Sequence, residues 1–266
     1  MKRYTNYLIL AGMILSLGVG TFAITRLMLA YEEYQQGDKA YEELQNFADD
    51  GGPEKDTNEP DLQMTEEDPD DFQFLQVDFE GLQAINPDVT AWIQIPALDI
   101  SYPVVRGTDN SYYLSHLFNG EANINGSIFM DYHSQPDFTG QNTIIYGHNM
   151  KNGSMFGTLE QYQDENLYRQ YPSFYLYIPG YRLEYQIFSC YTARAGSAGY
   201  TYSFPDQEDF AVFLETVTAY ALYDTGITAG LADKIVSLST CVNTSREYRF
   251  LVHGKLMNRI AIGGKE

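Results

Sequence analysis

The chain has 266 residues, of which 44% are hydrophobic and 15% aromatic, enough to bury one sizeable core beside some appended segments. Sixteen basic against 36 acidic side chains give a formal charge of −20, which excludes a nucleic-acid partner because phosphate binding needs a basic surface. Only two cysteines are present, Cys190 and Cys241, so a disulfide framework is excluded. One bridge could join them, but it would consume any catalytic thiol.

The N-terminal segment is typical of a membrane anchor. Residues 8–24 are uncharged and strongly apolar, and residues 27–30 continue the run beyond Arg26. A helix of about 20 apolar residues spans a bilayer, so residues 7–30 are predicted to cross the membrane once. A cleaved signal peptide is the alternative, but its apolar region is usually shorter, about 7–15 residues, and ends at a small-residue cleavage site that is not obvious here.

Charges at the two ends of this segment predict its orientation. Lys2 and Arg3 favour a cytoplasmic location for residues 1–6. Arg26 can extend its charged end to the outer interface. The bulk of the chain is therefore expected outside the cell.

Residues 31–71 are predicted to connect the anchor to the folded domain. Tyr31–Phe47 has the pattern of a polar helix with a thin apolar stripe. Asp49–Asp71 is rich in Asp, Glu, Pro and Gly with almost nothing to bury, which predicts a disordered spacer rather than a metal or partner site. The folded domain is expected over residues 72–266.

The folded domain is predicted to be mainly β with flanking helices. Phe72–Ile85 has helical spacing of its apolar residues and stops before Asn86-Pro87. Eight short runs with β character then recur between turn residues, which favours a closed barrel or a sandwich over alternating βα units. These runs are Trp92–Ile95, Tyr102–Val105, Gly126–Met130, Thr143–Tyr146, Ser173–Ile178, Leu183–Tyr191, Lys234–Thr240 and Tyr248–Leu256.

One helix is predicted between the sixth and seventh of these runs. Asp206–Tyr223 places its apolar side chains on one helical face, so it is expected to lie as an insertion over the barrel. The face consists of Phe210, Phe213, Leu214, Val217 and Ala221.

Cys241 is the candidate nucleophile. The thiolate is the reactive form, and a free cysteine has a pKa of about 8.5, so a catalytic cysteine needs a nearby cation. Cys190 lies in the middle of a predicted strand, where most free cysteines are buried small hydrophobes. Cys241 directly follows Ile235–Thr240 and precedes the polar loop Val242–Tyr248, at a strand end where functional groups commonly sit.

Two histidines compete to be the partner of this thiol. His148 lies on a turn at the exit of the run Thr143–Tyr146, and His253 lies within the last predicted strand. The pattern ranks His148 first and leaves both open. His116 and His133 lie in polar, turn-rich segments and have no strong claim.

Arg249 is the candidate for stabilising charge on a substrate. It begins the predicted strand after Cys241, and a hairpin between the two strands would bring it back beside the sulfur. A guanidinium there can donate two hydrogen bonds to a carbonyl oxygen on which charge develops.

The motifs around these residues resemble those of a known family. Ser237-Leu238-Ser239-Thr240-Cys241 resembles the TLxTC signature of sortases, with serine in place of the usual first threonine, and Arg249 stands where that family has its arginine. The loop between Cys241 and Arg249 is short for the family. Tyr102–Asn110, Gly126–Tyr132 and Asn142–Gly157 extend the match, and together these segments resemble class B sortases over residues 85–257.

This resemblance implies an eight-stranded sortase barrel with N-terminal helices and a long helix before the strand that carries the cysteine. It also implies a cysteine transpeptidase that cleaves a C-terminal sorting signal of secreted proteins. Cys241 would form a thioacyl intermediate, His148 would transfer protons, and Arg249 with the backbone N–H of Val242 would hold the oxyanion. The acceptor would be an amine of a peptidoglycan precursor or of a pilin.

By the same resemblance, the substrate-binding residues are Asn110, Leu114, Ser239, Thr240 and Val242; a place in a helix core is the alternative for Leu114. No cofactor is expected, and no ligand spacing supports a dedicated metal site. Two other functions remain open. One is a surface cysteine peptidase that hydrolyses its substrate, and the other is an anchored binding module without catalysis.

Overall fold

The computed structural model describes residues 2–49, 74–242 and 245–262. α-Helices occupy four segments of this part of the chain: α1 (Lys2–Leu44), α2 (Phe79–Ile85), α3 (Glu165–Gln170) and α4 (Gln207–Ala219). The acidic segment 50–71, predicted to be a spacer, lies outside the described residues.

Eight strands form a closed barrel, which confirms the predicted fold class. The barrel strands are β3 (Val89–Ile95), β4 (Ile100–Val105), β5 (Ile128–Met130), β6 (Asn142–Tyr146), β7 (Ser173–Ile178), β8 (Tyr181–Arg194), β9 (Ile235–Val242) and β10 (Ser245–Ala261). Their order around the barrel is β10-β8-β7-β3-β4-β5-β6-β9. A separate pair, β1 (Ala48–Asp49) with β2 (Gln76–Val77), flanks the barrel.

Several strands differ in length from their predicted runs. β8 and β10 are longer than predicted because the two strands pair with each other from Tyr248↔Arg194 to Ala261↔Tyr181. Backbone pairing thus continues well beyond the apolar residues that mark each strand in the sequence. β5 is shorter than predicted because Gly126 has a positive φ of 56° and belongs to the preceding turn.

The helix predicted over Phe72–Ile85 is wrong at residues 74–77, and its first two residues lie outside the described part of the chain. Gln76–Val77 is extended and pairs with Ala48–Asp49, which also removes Asp49 from the predicted spacer. The helix begins only after Asp78, whose carboxylate accepts a hydrogen bond of 2.9 Å from the backbone N–H of Gly81. This N-cap satisfies a backbone donor that would otherwise lack a partner.

The predicted helix before the cysteine-bearing strand is confirmed as α4. Asp206 is its N-cap and accepts hydrogen bonds from the N–H groups of Glu208 and Asp209. Four of the five predicted face residues are buried on α4, whereas Ala221 lies past its end. The buried face packs with Phe188 and Tyr191 of β8, Ile235 of β9 and Leu251 of β10, so α4 covers one outer side of the barrel.

α1 has two different halves. Its N-terminal part contains a segment long and apolar enough to cross a bilayer, and none of that segment is buried against the rest of the chain. Its C-terminal part packs on the barrel, where Tyr41 and Leu44 are buried in the main hydrophobic core. Tyr41 meets Tyr102 of β4 edge to face, with ring centroids 5.4 Å apart.

Candidate active site

Strand pairing brings three of the predicted residues to one edge of the barrel. β6 and β9 run parallel with Tyr146 opposite Ser239, so His148 and Cys241 leave this edge side by side. β9 and β10 run antiparallel, and Arg249 lies directly opposite Cys241. Cys241, His148 and Arg249 line one groove of about 450 Å³.

Three hydrogen bonds tie the two segments that leave β6 and β9. The N–H of Gly147 donates to the carbonyl of Ser239 (3.1 Å), and the hydroxyl of Thr240 donates to the carbonyl of Gly147 (2.9 Å). The side-chain amide of Asn149 donates to the carbonyl of Cys241 (2.6 Å). The intervening histidine is therefore fixed by its backbone beside the cysteine.

The ring of His148 is oriented by the loop before β5. Its Nε2 lies 2.7 Å from the carbonyl oxygen of Leu114. A carbonyl oxygen only accepts, so Nε2 carries the proton in this bond and Nδ1 is the ring atom left for proton exchange. Gly126 lies against the ring, since a Cβ at this glycine would be 3.0 Å from Cδ2 of His148.

The two cysteines have opposite surroundings. Cys190 is buried, and its Sγ lies 3.3 Å from both the carbonyl oxygen of Tyr162 and the hydroxyl of Tyr223. Burial raises the pKa of the Cys190 thiol to about 11, which leaves it protonated at neutral pH. Cys241 is partly exposed in the groove.

His253 is a buried member of a polar chain that crosses four strands. Its Nε2 lies 3.1 Å from the hydroxyl of Tyr191, and its Nδ1 lies 2.7 Å from Ser237 Oγ. Ser237 donates to Asn142 Oδ1, and the Asn142 amide donates to the carbonyl of Thr201. Because the Ser237 hydroxyl donates its proton to Asn142, Nδ1 of His253 donates to Ser237 Oγ and Nε2 accepts from the Tyr191 hydroxyl. Burial lowers the pKa of His253 to about 3.

A buried carboxylate organises part of the groove wall. Asp131 accepts hydrogen bonds from the Asn110 amide (2.7 Å), the Tyr146 hydroxyl (2.8 Å) and Nδ1 of His133 (2.9 Å). Burial alone would raise the pKa of Asp131, but these bonds and the backbone N–H of His133 outweigh it and hold that pKa below its usual range. The ring of His133 stacks on Tyr202, with centroids 4.5 Å apart.

Four of the five predicted substrate-binding residues line the groove: Asn110, Leu114, Ser239 and Thr240. Leu114 is 45% exposed, so the alternative of a helix core position is wrong. Both polar ends of the Asn110 side chain are engaged, with Asp131 and with the N–H of Tyr132. Val242 is not among the lining residues, because strand alternation turns its side chain toward the hydrophobic core.

Sequence reasoning missed further residues that line the groove: Phe129, Asp131, His133, Tyr146, Ala195, Gly196, Tyr200 and Tyr202. Asp131 lies inside a matched segment, so its place there was the signal that could have found it. Tyr200 hydrogen-bonds the hydroxyl of Ser239 at 2.7 Å from a loop with no motif. Among the described residues, no cluster of three or more His, Cys, Asp or Glu side chains could hold a metal ion.

Comparisons with known proteins agree with this geometry. A family model described as the sortase domain matches residues 93–257. Sortase B of Listeria monocytogenes is 35% identical over 185 residues, which cover 68% of this chain and 75% of that protein. The chain belongs to the sortase family. It is accordingly a cysteine transpeptidase, and its relatives place it in class B.

Solved sortase B structures resemble this sortase throughout the barrel. Sortase B of Bacillus anthracis in complex with AAEK1 superposes with a TM-score of 0.70 at 31% identity, covering 86% of this chain and all of that one. The Staphylococcus aureus sortase B–substrate complex gives a TM-score of 0.64 at 29% identity, covering 67% of this chain and 84% of that one.

Proposed function

We propose that this sortase cleaves the C-terminal sorting signal of secreted proteins through Cys241 and joins the new carboxyl end to an amine of the cell wall or of a pilin. The convergence of a partly exposed thiol, an imidazole and a guanidinium in one groove carries the proposal. A binding module without catalysis would not require Arg249 to lie directly opposite Cys241.

In the first half-reaction, the Cys241 thiolate attacks the scissile carbonyl and a C–S bond forms. Arg249 donates hydrogen bonds to the oxygen that becomes negative, and the N–H of Val242 is retained as a second donor. His148, as imidazolium, gives its proton to the leaving amine as the C–N bond breaks. The product is a thioester on Cys241.

In the second half-reaction, the acceptor amine attacks the thioester. His148 now takes a proton from the attacking nitrogen, the new amide bond forms, and the thiolate of Cys241 leaves. Water is the competing nucleophile, and its attack would give hydrolysis.

The groove suits an extended peptide. Leu114 and the rings of Tyr200 and Tyr202 offer apolar surface, while Ser239 and Thr240 lie in the groove wall beside the nucleophile with their hydroxyls bonded to Tyr200 and Gly147. Aromatic walls with a few placed polar groups are typical of selective binding sites. Asn110 contributes by holding Asp131 in the wall.

We also propose that the enzyme is a single-pass membrane protein with residues 1–6 in the cytoplasm and the catalytic domain outside. The exposed apolar half of α1 supports the anchor, and the basic residues at its start support the orientation. The domain boundaries are proposed as 7–30 for the anchor, 31–71 for the stalk and linker, and 72–266 for the catalytic domain.

The test is a screen of peptides carrying NPxTx-like and xPxTG-like sorting motifs, incubated with the full-length chain. Triglycine and hydroxylamine serve as amine nucleophiles, and mass spectrometry identifies the joined product. We expect amine-dependent products that disappear in Cys241→Ala and in His148→Ala. Hydrolysis alone at every amine concentration would establish a peptidase, and full activity in Cys241→Ala would refute thiol catalysis.

A further inference from the structure

We infer that the C-terminal part of α1, residues 33–44, positions His148 for catalysis. This segment, named here the clamp, continues the apolar half of α1 without a break. The inference rests on the role proposed for His148 and adds positioning residues that lie outside the groove.

The clamp holds the turn formed by residues 123–127, named here the support turn. The carbonyl of Glu33 accepts from the Asn123 amide (2.9 Å), and the Glu33 carboxylate accepts from the N–H of Ile124 (3.0 Å). One helical turn before the end of α1, the Tyr41 hydroxyl donates to the carbonyl of Gly126 (2.7 Å) in a buried setting. Both ends of the support turn are thereby fixed to α1.

A glycine permits this close approach. Gly37 is buried, and a Cβ at this position would overlap the Asn125 amide and lie 2.9 Å from Asn123 Oδ1. The neighbouring Asp38 accepts from the amides of Asn125 and Asn152. Asn152 belongs to the loop that follows His148. The clamp therefore contacts both the support turn, which precedes His148 in the chain, and the loop after His148.

The support turn in turn holds the ring of His148. Gly126 has a positive φ of 56°, and a Cβ there would lie 2.9 Å from the carbonyl oxygen of Leu114 and 3.0 Å from His148 Cδ2. That same Leu114 oxygen accepts from His148 Nε2. Gly126 is thus in contact with both the ring and its hydrogen-bond acceptor, and Tyr41 fixes Gly126.

Displacement of the clamp should therefore impair proton transfer more than peptide binding. A shift of about 1 Å in a catalytic group reduces rates by about 100-fold. The described groove-lining residues include none from α1, so KM should change little. Simple stabilisation by the buried Tyr41 predicts a different result, namely activity lost only in proportion to the unfolded fraction.

The experiment uses the full-length chain in detergent micelles with Tyr41→Phe and Gly37→Ala. Gln36→Ala, an exposed change on the same helix, is the matched control. Three quantities are measured: kcat and KM on the sorting peptide found by the screen, the urea midpoint, and the pH dependence of Cys241 alkylation by iodoacetamide, followed by mass spectrometry.

We expect kcat to fall about 5-fold in Tyr41→Phe, the effect of one hydrogen bond, and about 100-fold in Gly37→Ala, with KM unchanged. The pH profile of alkylation should move toward that of His148→Ala, and Gln36→Ala should match the unaltered chain. Should Gly37→Ala unfold, Tyr41→Phe decides, since it removes only a hydroxyl.

Three outcomes separate the possible failures. Unaltered kcat and an unaltered alkylation profile in Tyr41→Phe, while His148→Ala is inactive, would overturn the inference and leave the proposed function standing. An active His148→Ala would overturn the proposed function itself. Activity lost only in proportion to the unfolded fraction, with the alkylation profile unmoved, would also overturn the inference.

Discussion

At the scale of single residues, the two thiols show how surroundings determine chemistry. Iodoacetamide should modify Cys241 in the folded chain at pH 7 and leave Cys190 unmodified, because burial raises the pKa of Cys190 to about 11. Peptide mapping by mass spectrometry measures both sites in one sample. Both thiols should react in 6 M guanidinium, and rapid labelling of Cys190 in the folded chain would contradict its assignment as a buried residue.

Substitution of Arg249 tests whether catalysis depends on the geometry of the hydrogen-bond donor as well as on its charge. Arg249→Lys keeps the charge but loses the planar pair of donors, so kcat/KM for peptide cleavage should fall by about 10²–10³-fold. Arg194→Lys is the matched control, since Arg194 lies nearby on β8 and makes an exposed ion pair with Glu247. Equal effects of the two substitutions would show that Arg249 has no specific role in the mechanism.

At the scale of secondary-structure elements, the polar chain through His253 makes barrel stability depend on pH. The unfolded chain takes up a proton near the usual pKa of 6.5, whereas the native His253 takes it up only near pH 3. Stability therefore rises with pH across this window and is lost on acidification. Urea unfolding should show the free energy falling by up to about 1.4 kcal/mol per pH unit below pH 6.5.

His253→Gln separates this effect from other titrations. It should lower the free energy of unfolding at pH 7 by about 1–3 kcal/mol through lost hydrogen bonds, and flatten the slope between pH 4.5 and 6.5. Protonation of Asp131 lowers the free energy of unfolding further only below the usual aspartate pKa of 3.8, because the pKa of Asp131 is lowered in the folded chain. An unchanged slope in His253→Gln would assign the pH dependence to another group.

Gly254 shows how closely β10 packs on the barrel interior. A Cβ there would overlap the ring of Phe174 and lie 3.0 Å from Cβ of Tyr185. Gly254→Ala should therefore lower the free energy of unfolding by about 1–3 kcal/mol in urea titrations. Gly230→Ala is the control, with only Asp233 at 3.7 Å from its Cβ, and should change stability by less than about 0.5 kcal/mol.

The elements were predictable where a local pattern determines them. α4 follows from its apolar face and the Asp206 cap, and each barrel strand from a run of apolar and aromatic residues. The helix predicted over Phe72–Ile85 was wrong at residues 74–77 because the apolar spacing there also fits an extended segment that pairs with Ala48–Asp49. That pairing joins distant parts of the chain and leaves no local signal.

At the scale of the whole molecule, anchoring predicts how the enzyme fractionates. The full-length chain should remain with membranes after an alkaline wash, whereas a chain that begins at Tyr31 should be released. Intact-mass measurement of the membrane fraction distinguishes the anchor from a cleaved signal peptide. A mature N-terminus near residue 30 would contradict the anchor.

The candidate site was predictable in part for the same reason as the fold. Position along the strands singles out Cys241 over Cys190, and a hairpin suffices to bring Arg249 opposite Cys241. The choice between His148 and His253 needed the three-dimensional structure or the family resemblance, because alternation alone does not tell which strand face is enclosed.

Other groove residues depend on contacts between distant loops. Asp131 is held by hydrogen bonds from Asn110 and Tyr146, and Tyr200 is held by a hydrogen bond with Ser239. The clamp of α1 depends on the support turn some 85 residues further along the chain. Short motifs carry no information about such packing.

The unbroken helix α1 also sets the distance between the proposed membrane segment and the catalytic domain. Once residues up to Ala30 are in the bilayer, the rise from Ala30 to Tyr41 is about 16 Å, and Tyr41 fixes the turn that contacts His148. An extended polypeptide covers about 3.3 Å per residue, so a substrate still held by its own membrane segment needs about five residues to rise to the level of Tyr41. Spacer length would then select substrates alongside the motif itself.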